Sequence, residues 1–112
     1  MRLRLDETLP HDRRHVIVGH EVLTVAYVGW TGLQNGRLLA KAAEAGFDAL
    51  VTKDTALPWQ QNQATLPVSV VVLDAPTNDL ADIRPLVPAL LRVLATLAPR
   101  TVVRVSAPGT AA

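Results

Sequence analysis

The sequence predicts an α/β domain built on a mainly parallel sheet of about five strands, with helices on both faces. Three observations predict it. Short Val- and Leu-rich runs alternate with stretches of helical periodicity. Two of those runs, residues 47–54 (FDALVTKD) and 66–74 (LPVSVVVLD), the second almost unbroken in apolar residues, look like strands covered on both faces. Three runs end on an aspartate, at Asp6, Asp54 and Asp74.

The elements follow in order. Residues 2–6 (RLRLD) read as a short strand, and its alternation of Arg2 and Arg4 with Leu3 and Leu5 suggests an exposed-edge or half-buried one. A helix or helical turn opens just past Pro10. Residues 20–28 (HEVLTVAYV) follow Gly19 and are β-branched and aromatic, which predicts a second strand running into the turn GWTG. Asn35 can cap a helix carrying Leu38, Leu39, Ala42, Ala43 and Ala45 on one side, with Gly46 as its stop. Residues 47–54 and 66–74 are the third and fourth strands. Residues 79–97 place Leu80, Ile83, Val87, Leu90, Leu91, Leu94 and Leu97 at helical spacing, and Pro85 and Pro88 confine the regular helix to the later part or bend it. Residues 101–106 (TVVRVS) are a fifth strand. The domain therefore spans residues 1–106, and residues 107–112 (APGTAA) form a small flexible tail.

At 112 residues and 49% apolar composition the chain suits one domain with one core. It has no cysteine, which excludes disulfides and thiolate chemistry and fits the cytoplasm. No apolar run is long enough to span a membrane, and the N-terminus lacks the core of an export signal. The net charge is +1, a weak footprint for a polyanion binder, and Arg2, Arg4, Arg13 and Arg14 read as a solvated surface.

Strand-end acids are the main functional signal, because ligands of parallel α/β sheets bind outside the carboxyl ends of the strands. Converging carboxylates repel unless they share a cation or a proton, so the pattern points to an oxygen-liganded ion such as Mg²⁺ or Mn²⁺. The competing reading is that each Asp caps its own turn. Gln60, Gln61 and Asn62 follow Trp59 and could meet a base or phosphate, although a helical turn with Trp59 in the core explains them more simply. Trp30 reads as an anchor at its glycine-flanked turn. His11 and His15 have the spacing of paired helix ligands but no third partner, and an exposed amphipathic helix is the better reading. His20 reads as structural. No phosphate-binding glycine loop or serine triad is present.

The strings LRLDETLP, GHEVLTVAYVGWTGLQNGRLLAKAAEAGFDALVTKDTALPWQQN and VSVVVLDAPTNDLADIRPLVPALL resemble a small bacterial PIN-like family of unknown function, over about residues 3–105. The motifs LDExLP, GHEV, GWxGLxNG and TxD followed by LPxQQN occur in one order. The resemblance implies a compact PIN-type α/β fold whose strand-end acids hold Mg²⁺ or Mn²⁺ for RNA cleavage, as in VapC-type toxins paired with a small antitoxin. It assigns catalysis and metal binding to Asp6 and Asp54. Relatives often carry further acids where this chain has Asn35, Gly36 and Arg37, and where it has Ala56. The resemblance therefore leaves Glu7 or Asn35 to complete the metal set, and leaves open a degenerate binding module. Asn35, Gln61 and Asn62 are the substrate-binding candidates. A homodimer through a surplus of the Leu90, Leu91, Leu94 and Leu97 face is a further expectation.

Overall fold

The computed structural model describes residues 1–6, 8–25, 29, 30 and 32–106, excepting the side chains of His11, Asn35, Trp59, Gln60 and Gln63. The five strands are β1 (Arg2–Leu5), β2 (Glu21–Thr24), β3 (Ala49–Thr52), β4 (Ser69–Asp74) and β5 (Val102–Ser106). They form one sheet in the order β2-β1-β3-β4-β5, with every pairing parallel. The helices are α1 (Asn35–Glu44), α2 (Leu80–Ile83) and α3 (Val87–Ala95). The expected five-strand α/β architecture is met and is consistent with a PIN-like fold.

Both sheet faces are covered, as the apolar runs require. One core joins Leu3, Leu5, Val51, Val71 and Leu73 to Ile83, Leu86, Leu90 and Leu94 of the α2–α3 segment. The other joins Leu50, Val70 and Val72 to Leu38, Leu39 and Ala42 of α1, with Leu57 and Leu66 from the β3–β4 connection. Right-handed crossovers are the rule in such sheets. Here three connections share one hand, and the last, from β4 to β5, has the opposite one. It moves across the sheet in the same direction as the two connections before it but passes over the other face. The reason is coverage. After β1 that other face receives only the 3₁₀ turn His11–Val16, too short to bury five strands, and α2–α3 supplies what is missing.

The prolines act as expected. Pro85 lies in a 3₁₀ segment, Arg84–Leu86, between α2 and α3, and Pro88 occupies the first turn of α3, where a missing N–H costs nothing. Gly46 takes a φ of 81° just beyond α1, the left-handed stop predicted for it. Asn35 is the first residue of α1 and not its cap; Gln34 holds the extended cap position. Residues 26–28 of the expected second strand, and the tail 107–112, lie outside the described residues. Leu90 and Leu94 are buried, and Leu91 and Leu97 pack against the same core, so that helix face is occupied within the chain. Among the described residues no helix is long and apolar enough to cross a membrane.

One expectation is overturned. β1 is not an edge strand: it lies between β2 and β3, and Arg4 is only 2% exposed. Alternation of Arg with Leu suggested a wet face, but two aromatic rings take the place of water. The Arg4 guanidinium carbon lies 3.7 Å from the Phe47 ring centroid and 4.1 Å from that of Trp30. Arg2 lies 4.4 Å from the Phe47 centroid and Lys41 Nζ 5.3 Å from that of Trp30, so three cations interleave with two rings. Trp30 is thereby an anchor, as read from its turn. Burial and the charge of Arg2, opposed by Glu21, pull the Arg4 pKa down to about 10, leaving it charged at neutral pH.

Nε and Nη1 of Arg4 have no hydrogen-bond partner among the described residues. Buried polar atoms without partners are costly, whereas the aliphatic stem and the stacking contribute packing. Arg4→Met, which keeps the stem and removes those atoms, is expected to change stability by less than about 1.5 kcal/mol, while Arg4→Ala loses about 3 kcal/mol by leaving a cavity between the rings. Urea denaturation midpoints check this; equal losses for both variants would show that the guanidinium itself is what holds the rings.

Candidate functional site

The chain leaves β1 over one face of the sheet and leaves β3 over the other, so the carboxyl ends of these neighbouring strands flank a crevice, the usual ligand position in sheets of this order. Asp6 and Asp54 stand there. The Asp6 N–H donates to the Val51 carbonyl at 3.0 Å, extending the β1–β3 pairing by one residue and fixing where its side chain emerges.

Asp6 is 5% exposed, and its carboxylate is held by three protein donors. The Thr8 backbone N–H donates to Oδ1 at 3.0 Å, the Thr8 hydroxyl donates to the same oxygen, and the Thr52 hydroxyl donates to Oδ2. Each hydroxyl in turn accepts a backbone N–H of the β3 end: Lys53 donates to Thr8 Oγ1 and Asp54 to Thr52 Oγ1, both at 2.9 Å. One buried carboxylate thus ties the turn after β1 to the end of β3. Asp54 is half-buried, and its Oδ1 accepts the Ala56 N–H at 2.9 Å, the turn-capping role weighed for a strand-end Asp.

Asp6 is perturbed by its surroundings. Burial pushes the Asp6 carboxyl above its ordinary value of 3.8; the hydrogen bonds from Thr52 and Thr8 oppose the shift, and the charge of Asp54 adds to it. Asp74, the third strand-end acid, is drawn off by an ion pair with Arg104 across the β4–β5 pairing at 2.6 Å. Among the described residues no group of three or more His, Asp or Glu side chains is arranged to hold a metal ion.

The remaining candidates divide. Gln61 lies against the first turn of α1: a Cβ at Gly36 would be 3.4 Å from its Oε1. Asn62 instead caps the turn Gln63–Thr65, its Oδ1 accepting the Ala64 N–H at 3.0 Å. Glu7 and the side chain of Asn35 lie outside the described residues. His11 and His15 sit on a 3₁₀ turn, where three residues per turn swing positions i and i+4 about 120° apart and away from a shared ligand. His20 takes a hydrogen bond with the chain's amino group at 3.1 Å, a structural partner. Thr8 and Thr52 were missed by reading for acids alone; a hydroxyl two residues from Asp6 and another two residues from Asp54 were the available signal.

Two carboxylates admit a Mg²⁺- or Mn²⁺-type ion. Such ions are commonly held by one or two carboxylates, with waters and substrate oxygens completing the shell. A carboxylate offers about four acceptor positions, so the three donors among the described residues leave Asp6 one, and Asp54 Oδ2 accepts no bond from the described residues. No family model, curated protein or solved structure matches this chain.

Because the folded Asp6 binds its proton more tightly than the unfolded one, folding is favoured most at low pH by this group. Stability then falls as pH rises from about 3.8 through the raised value. Asp6→Asn is expected to remove this term, so its stability relative to the parent chain increases across that window and then levels off. Urea unfolding of both chains at a series of pH values reads it; parallel profiles would mean that Asp6 titrates normally.

Proposed function

We propose that this protein is a metal-dependent ribonuclease of PIN-like type, with Asp6 and Asp54 as the residues that hold Mg²⁺ or Mn²⁺. The observation that carries the reading is the placement of these two acids at the β1/β3 crevice, where one Thr52 hydroxyl donates to the Asp6 carboxylate and accepts the Asp54 N–H. When bound, such an ion supplies a more acidic water and neutralises charge on a phosphoryl oxygen. Thr8 and Thr52 fix the rotamer of Asp6, so that its remaining acceptor position points in one direction. Gln61, which lies beside the first turn of α1, would donate to a substrate oxygen. On the resemblance in its motifs, the protein is the toxin of a cytoplasmic pair controlled by a small antitoxin.

A second reading has an observation of its own. Three donors among the described residues already satisfy most of the Asp6 carboxylate, and on the resemblance in its motifs Ala56 and Arg37 stand where acids are expected. Under that reading the domain binds RNA or a protein partner without cleaving it.

Purified protein is expected to cleave single-stranded RNA with Mn²⁺ or Mg²⁺ and to lose at least 100-fold in rate as Asp6→Asn or Asp54→Asn, on the order expected when a principal electrostatic group is removed. Calorimetric titration with Mn²⁺ should show binding that both variants abolish. Cleavage that survives both substitutions would assign the activity to a contaminant, and an absence of both cleavage and Mn²⁺ binding would leave the second reading.

A further inference from the structure

We infer that Lys53 and Arg13 form a phosphate-binding subsite beside the Asp6–Asp54 pair, which takes a backbone phosphate of a single-stranded nucleic acid. The inference rests on the ribonuclease reading only for the identity of its ligand. Lys53 lies between Thr52 and Asp54, and its backbone N–H belongs to the Asp6 network through Thr8. Its side chain is half-buried, and Nζ donates to the Ala75 carbonyl just past β4, at 2.9 Å. Among the described residues it has no carboxylate within ion-pair distance, although a strand-end Asp follows it directly.

Arg13 approaches the same β4–α2 loop from the 3₁₀ turn after β1. Its Nε donates to the Asn78 carbonyl at 2.8 Å, its Nη1 pairs with Asp12 at 2.9 Å, and its side chain is 17% exposed. Asn78 Nδ2 reaches back to the Thr8 carbonyl at 3.4 Å, which joins this loop to the turn that holds Asp6. The two anchoring carbonyls are three residues apart, at most about 11 Å along the chain.

Lys53 is held by one neutral carbonyl, and Arg13 by another together with the exposed Asp12 carboxylate, at the carboxyl edge of the sheet, with donors to spare: an ammonium has three and a guanidinium five. Tethering removes side-chain freedom while Lys53 keeps its charge unpaired among the described residues and Arg13 shares its own with Asp12, a preorganised arrangement for an anion centred on Lys53. The chemistry selects phosphate oxygens, which accept from Lys and Arg irrespective of base, so the subsite adds affinity without sequence preference.

The test reads binding and not cleavage. Anisotropy of a fluorescent single-stranded oligoribonucleotide is measured with the full chain in EDTA, over a range of salt concentrations. Each phosphate contact on a single strand contributes about 0.7 to the slope of log K against log salt. Lys53→Gln, which can keep the bond to Ala75, and Arg13→Gln are each expected to lower the slope by about that amount, and Lys53→Arg to preserve it. Lys53→Met serves if the Gln variant fails to fold. Weaker binding at an unchanged slope would assign these residues to loop bracing and overturn the proposal, as would an absence of RNA binding by the parent chain. Metal-dependent cleavage with unchanged slopes sinks the subsite alone, whereas reduced slopes without cleavage sustain it and sink the nuclease.

Discussion

The carboxylate of Asp6 is the joint on which the carboxyl edge of the sheet depends. A buried carboxylate is costly unless donors surround it, and here those donors come from two places that are distant in the chain, Thr8 and Thr52. Their hydroxyls pass the constraint on, each accepting a backbone N–H from the residues just after β3. One charge therefore determines the turn after β1, the exit of β3 and the position of Asp54. A substitution at Thr8 or Thr52 reaches the site without touching a ligand.

The same network sets the terms of any chemistry. Hydrogen bonds that favour the ionised form oppose the burial that disfavours it, and burial prevails, so Asp6 lies above its ordinary value. A cation beside Asp6 and Asp54 would relieve both the desolvation and the mutual repulsion. A proton on Asp6 would relieve them too.

Much of this was legible in the sequence, for physical reasons that can be named. The apolar cores of 47–54 and 66–74 suit strands covered twice, and Pro85 and Pro88 can only interrupt or begin a helix, so these elements fall where expected. Strand-end aspartates gather at one edge because all strands run the same way. What escaped depends on partners far away in the chain. Arg4 looked exposed because its shelter, Trp30 and Phe47, lies at least 26 residues on. Asp74 looked equivalent to Asp6 until β5 brought Arg104 against it. Sheet order was likewise not encoded in local pattern, and it is the order that separates Asp74 from the β1/β3 crevice.

The reversed hand of the last crossover follows from the same division of faces. Three connections on the usual side would leave Leu3, Leu5, Val51, Val71 and Leu73 under a single 3₁₀ turn. Exposing that surface is worth more than the preference for one hand, since each buried Leu or Val contributes about 1.5–3 kcal/mol. The crossing carries the chain past the ends of β1 and β3 on its way to α2, in the loop that Lys53 and Arg13 hold. Coverage of the core and placement of two cations beside the acidic pair are therefore consequences of one topological choice.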